Sequence, residues 1–103
     1  MASGILGQSA PSATTNTTVY TVPAGKTATF TVSILNTGSS DITARLAVAS
    51  TGSPSQSEYL EYEASIPAKG VLERTGIVAE AARLVVVYVS AATAAVSVFG
   101  FEA

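Results

Sequence analysis

The clearest order along the chain is a period of two. Ala28, Phe30, Val32 and Ile34 alternate with Thr27, Thr29, Thr31 and Ser33. Successive side chains of a strand point to opposite faces, so residues 27–35 read as a strand with one buried and one wet face. The wet face is hydroxyl-rich and carries no charge. Residues 42–48 repeat the pattern, with Ile42, Ala44, Leu46 and Val48 set against Thr43, Arg45 and Ala47. The cluster Asn36-Thr37-Gly38-Ser39-Ser40-Asp41 between them is rich in turn formers. The two strands are therefore expected to form an antiparallel hairpin. After a polar loop from Ser50 to Ser57, residues 58–66 alternate again. Leu60, Tyr62, Ala64 and Ile66 fall on one face, and Tyr59, Glu61, Glu63 and Ser65 on the other.

The remaining segments fit the same plan. Residues 17–22 are β-branched or aromatic at almost every position, a composition that favours strands. Pro23-Ala24-Gly25-Lys26 and Pro67-Ala68-Lys69-Gly70 are turns, since proline presets one φ and glycine supplies a free one. Residues 71–78 form a further strand with a break near Gly76. Residues 79–82 are a connection or a single helical turn. Residues 83–89 and 94–101 close the chain. No stretch holds a helical period over ten residues. Seven or eight short strands with turns between them predict an all-β chain, a β-sandwich or a small barrel; the expected form is a single antiparallel β-sandwich of jelly-roll or immunoglobulin-like type. The sandwich domain is expected over residues 17–103. Residues 1–16 are small, polar and uncharged, with Gly4, Gly7 and Pro11 as breakers. They read as an extended N-terminal arm pinned by Ile5 and Leu6, removable without loss of the fold.

The last two strands are apolar on both faces. Leu84, Val86 and Tyr88 lie on one side of the first and Val85, Val87 and Val89 on the other; in the second, Val96 and Val98 oppose Phe99 and Phe101. Only one face of a strand can meet a sandwich core. Each Val or Phe left wet forfeits about 1.5–3 kcal/mol, and several together match the net stability of a small domain. The other face needs cover from the arm, a neighbouring loop or another subunit; of these, another subunit is expected, with Val85, Val87, Val89, Phe99 and Phe101 forming an oligomer interface.

Composition narrows the function. The 103 residues include no Cys, His or Trp; charged residues make up 12%, apolar residues 48%, and the net charge is -2. Missing Cys and His remove disulfides, thiol nucleophiles, the commonest general base and the usual zinc ligands. Five scattered basic residues make a poor nucleic-acid surface. The start of the chain has no basic n-region and only Ile5-Leu6 as an apolar patch, unlike a signal peptide. The longest apolar run, residues 84–89, is far short of the roughly 20 residues of a spanning helix. The chain thus reads as a soluble protein made in the cytoplasm.

Candidate chemistry is sparse. Glu61 and Glu63 on one strand face stand about 7 Å apart by strand geometry, a spacing open to glycoside or Ca²⁺ chemistry. Alternating acids on an exposed strand more often keep an edge soluble. Asp41 lies near Ser39 and Ser40, but no His completes a triad. Gly25-Lys26-Thr27 ends like a phosphate-binding loop, yet the upstream glycine is missing and a strand follows. Asn16-Thr17-Thr18 matches a glycosylation acceptor that a cytoplasmic protein would not use. The four tyrosines are too dispersed in sequence to argue a sugar platform. No catalytic residue, metal or cofactor is expected.

Several segments together have a recognisable texture. They are Met-Ala-Ser-Gly-Ile-Leu-Gly at residues 1–7, Thr-Thr-Val-Tyr-Thr-Val-Pro-Ala-Gly-Lys at 17–26 and Ser-Ile-Leu-Asn-Thr-Gly at 33–38. Then come Glu-Tyr-Leu-Glu-Tyr-Glu at 58–63, Ile-Pro-Ala-Lys-Gly-Val-Leu-Glu-Arg-Thr-Gly at 66–76 and Val-Val-Val-Tyr-Val-Ser at 85–90. In texture and segment order, over most of residues 1–103, the chain resembles the small virion structural proteins of tailed bacteriophages, cyanophages in particular. The resemblance implies a non-enzymatic β-sandwich on the phage particle. Its expected role is a capsid decoration or cement protein that binds and stabilises the major capsid protein shell, commonly as a homotrimer. Its expected place is the capsid surface of the virion, with Ile5 and Leu6 of the arm touching the shell. The alternative is a tail, neck or fibre module that binds host-surface glycan. The uncharged hydroxyl face of residues 27–33, without aromatics or amides, favours the structural role.

Overall fold

The computed structural model describes residues 3–103. It contains eight strands: β1 (Ser3–Ser9), β2 (Thr17–Thr21), β3 (Ala28–Asn36), β4 (Ile42–Ala49), β5 (Tyr59–Ile66), β6 (Val71–Ala79), β7 (Leu84–Val89) and β8 (Ala94–Glu102). A single 3-10 turn, Gln56–Glu58, precedes β5. The strands form two antiparallel four-stranded sheets, ordered β1-β8-β3-β6 and β2-β7-β4-β5. The pairs β1–β8, β2–β7, β3–β6 and β4–β5 have numbers that sum to nine. One long hairpin, turning between β4 and β5 and rolled up, generates this order. The ladders β3–β8 and β4–β7 knit the roll shut.

Two expectations change here. β3 and β4 do not form a hairpin. Each alternates between a buried and a wetter face, but residues 37–41 carry the chain from one sheet to the other, and the two strands bury their apolar faces in a shared core. Periodicity marks which face is buried and is silent on which strand lies alongside. The N-terminal segment is the second change. Residues 3–9 are no free arm: β1 pairs with β8 from Ser3↔Phe101 to Ser9↔Val96. Leu6 packs on the core and Pro11 is buried. Met1 and Ala2, which the expected arm included, lie outside the described residues.

The core lies between the sheets. Phe30, Val32 and Ile34 of β3 meet Ala44 and Leu46 of β4, with Val85, Val87 and Val89 of β7 and Val96 and Val98 of β8 around them. The residues are mostly β-branched, which suits pleated, closely packed layers. Tyr20 and Phe30 meet edge to face at 5.9 Å. Gly100 faces Phe30 across the β3–β8 ladder. A Cβ there would collide with the Thr29 carbonyl and the Phe30 Cα, so glycine lets the backbones close around the core's large ring.

Asn36, fully buried, binds the loops at one end. Its Nδ2 donates to the carbonyls of Ser40 (2.8 Å), Ile66 (3.2 Å) and Pro67 (3.3 Å). Its Oδ1 accepts from the Gly38 amide at 3.0 Å and the Thr93 hydroxyl at 2.9 Å. Three connections, β3–β4, β5–β6 and β7–β8, thus meet at one side chain. A buried amide is tolerable only when its donors and acceptor are met, and here they are.

Candidate interaction surfaces

The two outer faces of the sandwich differ sharply. On the β1-β8-β3-β6 face, register lines up Ile5, Phe99 and Thr31 in one row, and Phe101, Thr29 and Val78 in another. Ala95, Leu35 and Val71 form another row. Ile5, Leu35, Val71, Val78, Phe99 and Phe101 are six of the seven large apolar or aromatic side chains left exposed among the described residues. Glu73 is the charged group of this face. A ladder of Thr29, Thr31 and Ser33 runs between the apolar flanks. Glu73 apart, the face is uncharged and largely apolar, which makes it a candidate contact surface.

The sequence-derived interface divides accordingly. Phe99 and Phe101 are exposed at 36% and 46%, on the same face. Val85, Val87 and Val89 are not available to a partner: each is fully buried between the sheets. The opposite side of β7 is covered from within the chain. Val86 packs with Ala47 and Ala49 of β4 beneath Tyr59 and Leu84. The alanines leave room for the tyrosine ring, and this satisfies the apolar second face without another subunit. Ile5 and Leu6 also part company, since Ile5 is exposed and Leu6 is half-buried against the core.

The β2-β7-β4-β5 face carries a cluster that no sequence spacing announced. Arg45 lies opposite Tyr88 in the β4–β7 ladder. Its guanidinium stacks over the Tyr88 ring at 4.2 Å and the Tyr62 ring at 4.5 Å, and its Nε donates to Glu63. That hydrogen bond raises the Arg45 pKa further above its ordinary value. Tyr59 and Tyr62 meet edge to face at 5.0 Å. Beside them Gln56, Tyr59, Leu60 and Tyr62 line an open cleft of about 620 Å³. Two register shifts in the β4–β5 ladder, with Glu63 at φ 53°, rotate Tyr62 outward from the face that strict alternation assigns it.

The same irregularity separates the acidic pair. Glu61 accepts from Arg74 Nη1 of β6 at 2.7 Å, closing the edge between the two sheets, while Glu63 serves Arg45. Glu58 accepts from the amides of Ser50 at 3.0 Å and Ser55 at 2.9 Å. These amides, Ser55 foremost, hold its carboxyl below the usual range and fasten the loop before β5. Each of these carboxylates is engaged in a structural contact. Among the described residues no three His, Cys, Asp or Glu side chains cluster as metal ligands. Nor is any helix there long and apolar enough to cross a membrane. No protein-family model, no curated protein and no solved structure matches the chain.

Proposed function

We propose that the chain is a non-enzymatic virion structural protein of a tailed bacteriophage, a capsid decoration or cement subunit. In this reading it binds the outside of the major capsid protein shell, stabilises it, and associates with copies of itself, as a trimer, on the capsid surface. The observation that carries the reading is the β1-β8-β3-β6 face, with Ile5, Phe99, Phe101 and Val78 exposed together. A small domain without disulfides gains from covering such a face. The sequence resemblance points the same way. Within the sandwich class we assign the jelly-roll type, because nested strand pairing is the mark of that roll, an architecture found in viral shells and lectins.

Copy number tests the reading. Quantitative protein analysis of purified virions is expected to find the chain in hundreds of copies, in proportion to the shell protein. A handful of copies per particle would overturn the capsid role and favour the tail, neck or fibre. Shells assembled without the protein are expected to open at lower temperature, and adding it back to restore them.

A further inference from the structure

We propose that the cleft beside β5 is a binding site for a neutral saccharide, with Tyr62 as its stacking platform and Gln56 as its polar contact. The reading stands apart from the apolar face, which lies on the other sheet.

Tyr62 is 60% exposed, the one large exposed ring outside the apolar face. A freely exposed tyrosine is ordinarily mobile, but this one is held. The Arg45 guanidinium lies over its ring at 4.5 Å, and Tyr59 packs against it at an interplanar angle of 81°. Arg45 is itself fixed by Glu63 and Tyr88. The ring is set before any ligand arrives, which removes much of the ordering cost of binding.

The lining states the class of ligand. Gln56, Tyr59, Leu60 and Tyr62 bring aromatic surface, one amide with donors and an acceptor, and phenolic hydroxyls. No charged side chain lines the cleft. The nearby charges are already engaged, Arg45 with Glu63 and Glu58 with Ser50, Ser55 and Arg83. A ligand suited to this lining is uncharged, has an apolar ring face for stacking, and carries hydroxyls for the amide. A pyranose has these properties together. The volume, about 620 Å³, lies in the range of small-ligand sites and admits more than one sugar ring. A proline-rich peptide fits less well. It needs a row of aromatic slots along an extended ligand of about 3.1 Å per residue, and the perpendicular rings of Tyr59 and Tyr62 make no such row.

The test is titration of the full chain with maltotriose, lactose and chitotriose, followed by NMR shifts of Tyr62 and Gln56. At least one is expected to shift both residues, saturating with a millimolar dissociation constant. Tyr62→Ala is expected to weaken binding about tenfold, the scale of one lost aromatic contact, and Tyr62→Phe to retain most of it. Gln56→Ala, at an exposed position outside the sheet, is expected to weaken it severalfold and keeps the test open should Tyr62→Ala not fold. Thr75→Ala, an exposed position on the other sheet, is expected to leave it unchanged. Failure of all three sugars to shift Tyr62 and Gln56 would overturn the proposal. So would unaltered affinity in folded Tyr62→Ala or Gln56→Ala, or a proline-rich peptide taking the cleft while the sugars do not.

Discussion

The Thr93 hydroxyl donates to Asn36 Oδ1 at 2.9 Å, tying the β7–β8 turn to the end of β3 across most of the sequence. Asn36 is fully buried and Thr93 half-buried, so the contact joins the core to the turn at its surface. Asn36→Ala is expected to lower stability by about 2–4 kcal/mol, because the Ile66 carbonyl loses a buried bond and the Ser40 and Pro67 carbonyls and the Gly38 amide lose part-buried ones. Thr93→Ala removes one bond and is expected to cost about 1 kcal/mol. Urea midpoints of both variants and their double mutant check this. Strict additivity would show that the two residues do not act as one network.

Tyr20 gives the chain an alkaline limit. Its hydroxyl donates to Glu102 Oε2 at 2.6 Å. Burial first, and the adjacent carboxylate second, push its pKa well above the ordinary value. In the unfolded chain a tyrosine releases its proton near pH ~10, while the folded chain keeps it. The contribution is therefore complete below about pH 10 and declines as pH rises further, where the unfolded state binds fewer protons. Tyr20→Phe is expected to lose about 1.5–3 kcal/mol at neutral pH and to flatten that alkaline decline. Chemical denaturation from neutral pH upward measures both, and an unchanged slope in the variant would refute the assignment.

Phe99 and Phe101 carry the proposed self-contact. Both are exposed in the single chain, so replacing them should spare its fold. Phe99→Ser with Phe101→Ser is expected to leave the melting of the isolated chain within about 1 kcal/mol of the parent. The same change is expected to raise the dissociation constant of the oligomer at least about a hundredfold. Light scattering behind a sizing column reads the mass directly. A parent chain that stays monomeric across micromolar concentrations would refute self-association.

Removing residues 2–12 should no longer be neutral. The deletion takes away the β1–β8 ladder, Leu6 from the core and the buried Pro11. Its expected cost is about 2–4 kcal/mol on the burial terms alone, visible as a lower urea midpoint. Val87→Glu is expected to prevent folding outright, since it sets a carboxylate in the middle of the core. Native-like circular dichroism in that variant would contradict the position of Val87.

The all-β class and most strand spans were legible in the sequence, because half-buried strands write their alternation plainly, as in Thr27 to Ile34. The partners were not. The loop of residues 37–41 is the right length for a hairpin and equally for a crossing between sheets. β7 conceals which face is covered from within for a related reason: Val85 and Val86 are both apolar, and the cover over Val86 comes from Tyr59, far away in sequence. The cluster of Arg45, Tyr62 and Tyr88 left no trace because it depends on ladder register and on the left-handed turn at Glu63. The division of β8 was legible, since alternation sets Phe99 and Phe101 on the face opposite Val96 and Val98, and the structure leaves the first pair exposed and the second buried.

The nested pairing of strands also fixes an order of assembly. β4 and β5 are the one ladder between chain neighbours, and every other ladder must wait for a strand made later. β1, though early in the sequence, finds its place only against β8. Folding is thus expected to begin at the middle of the chain and close outward, at the slow pace of long-range β pairing. Chevron analysis should show substitutions in the β4–β5 ladder slowing refolding, and those in the β1–β8 ladder hastening unfolding. Until the roll closes, β8 keeps an open edge beside Phe99 and Phe101, so the surface proposed for assembly is also where a half-folded chain is most liable to aggregate.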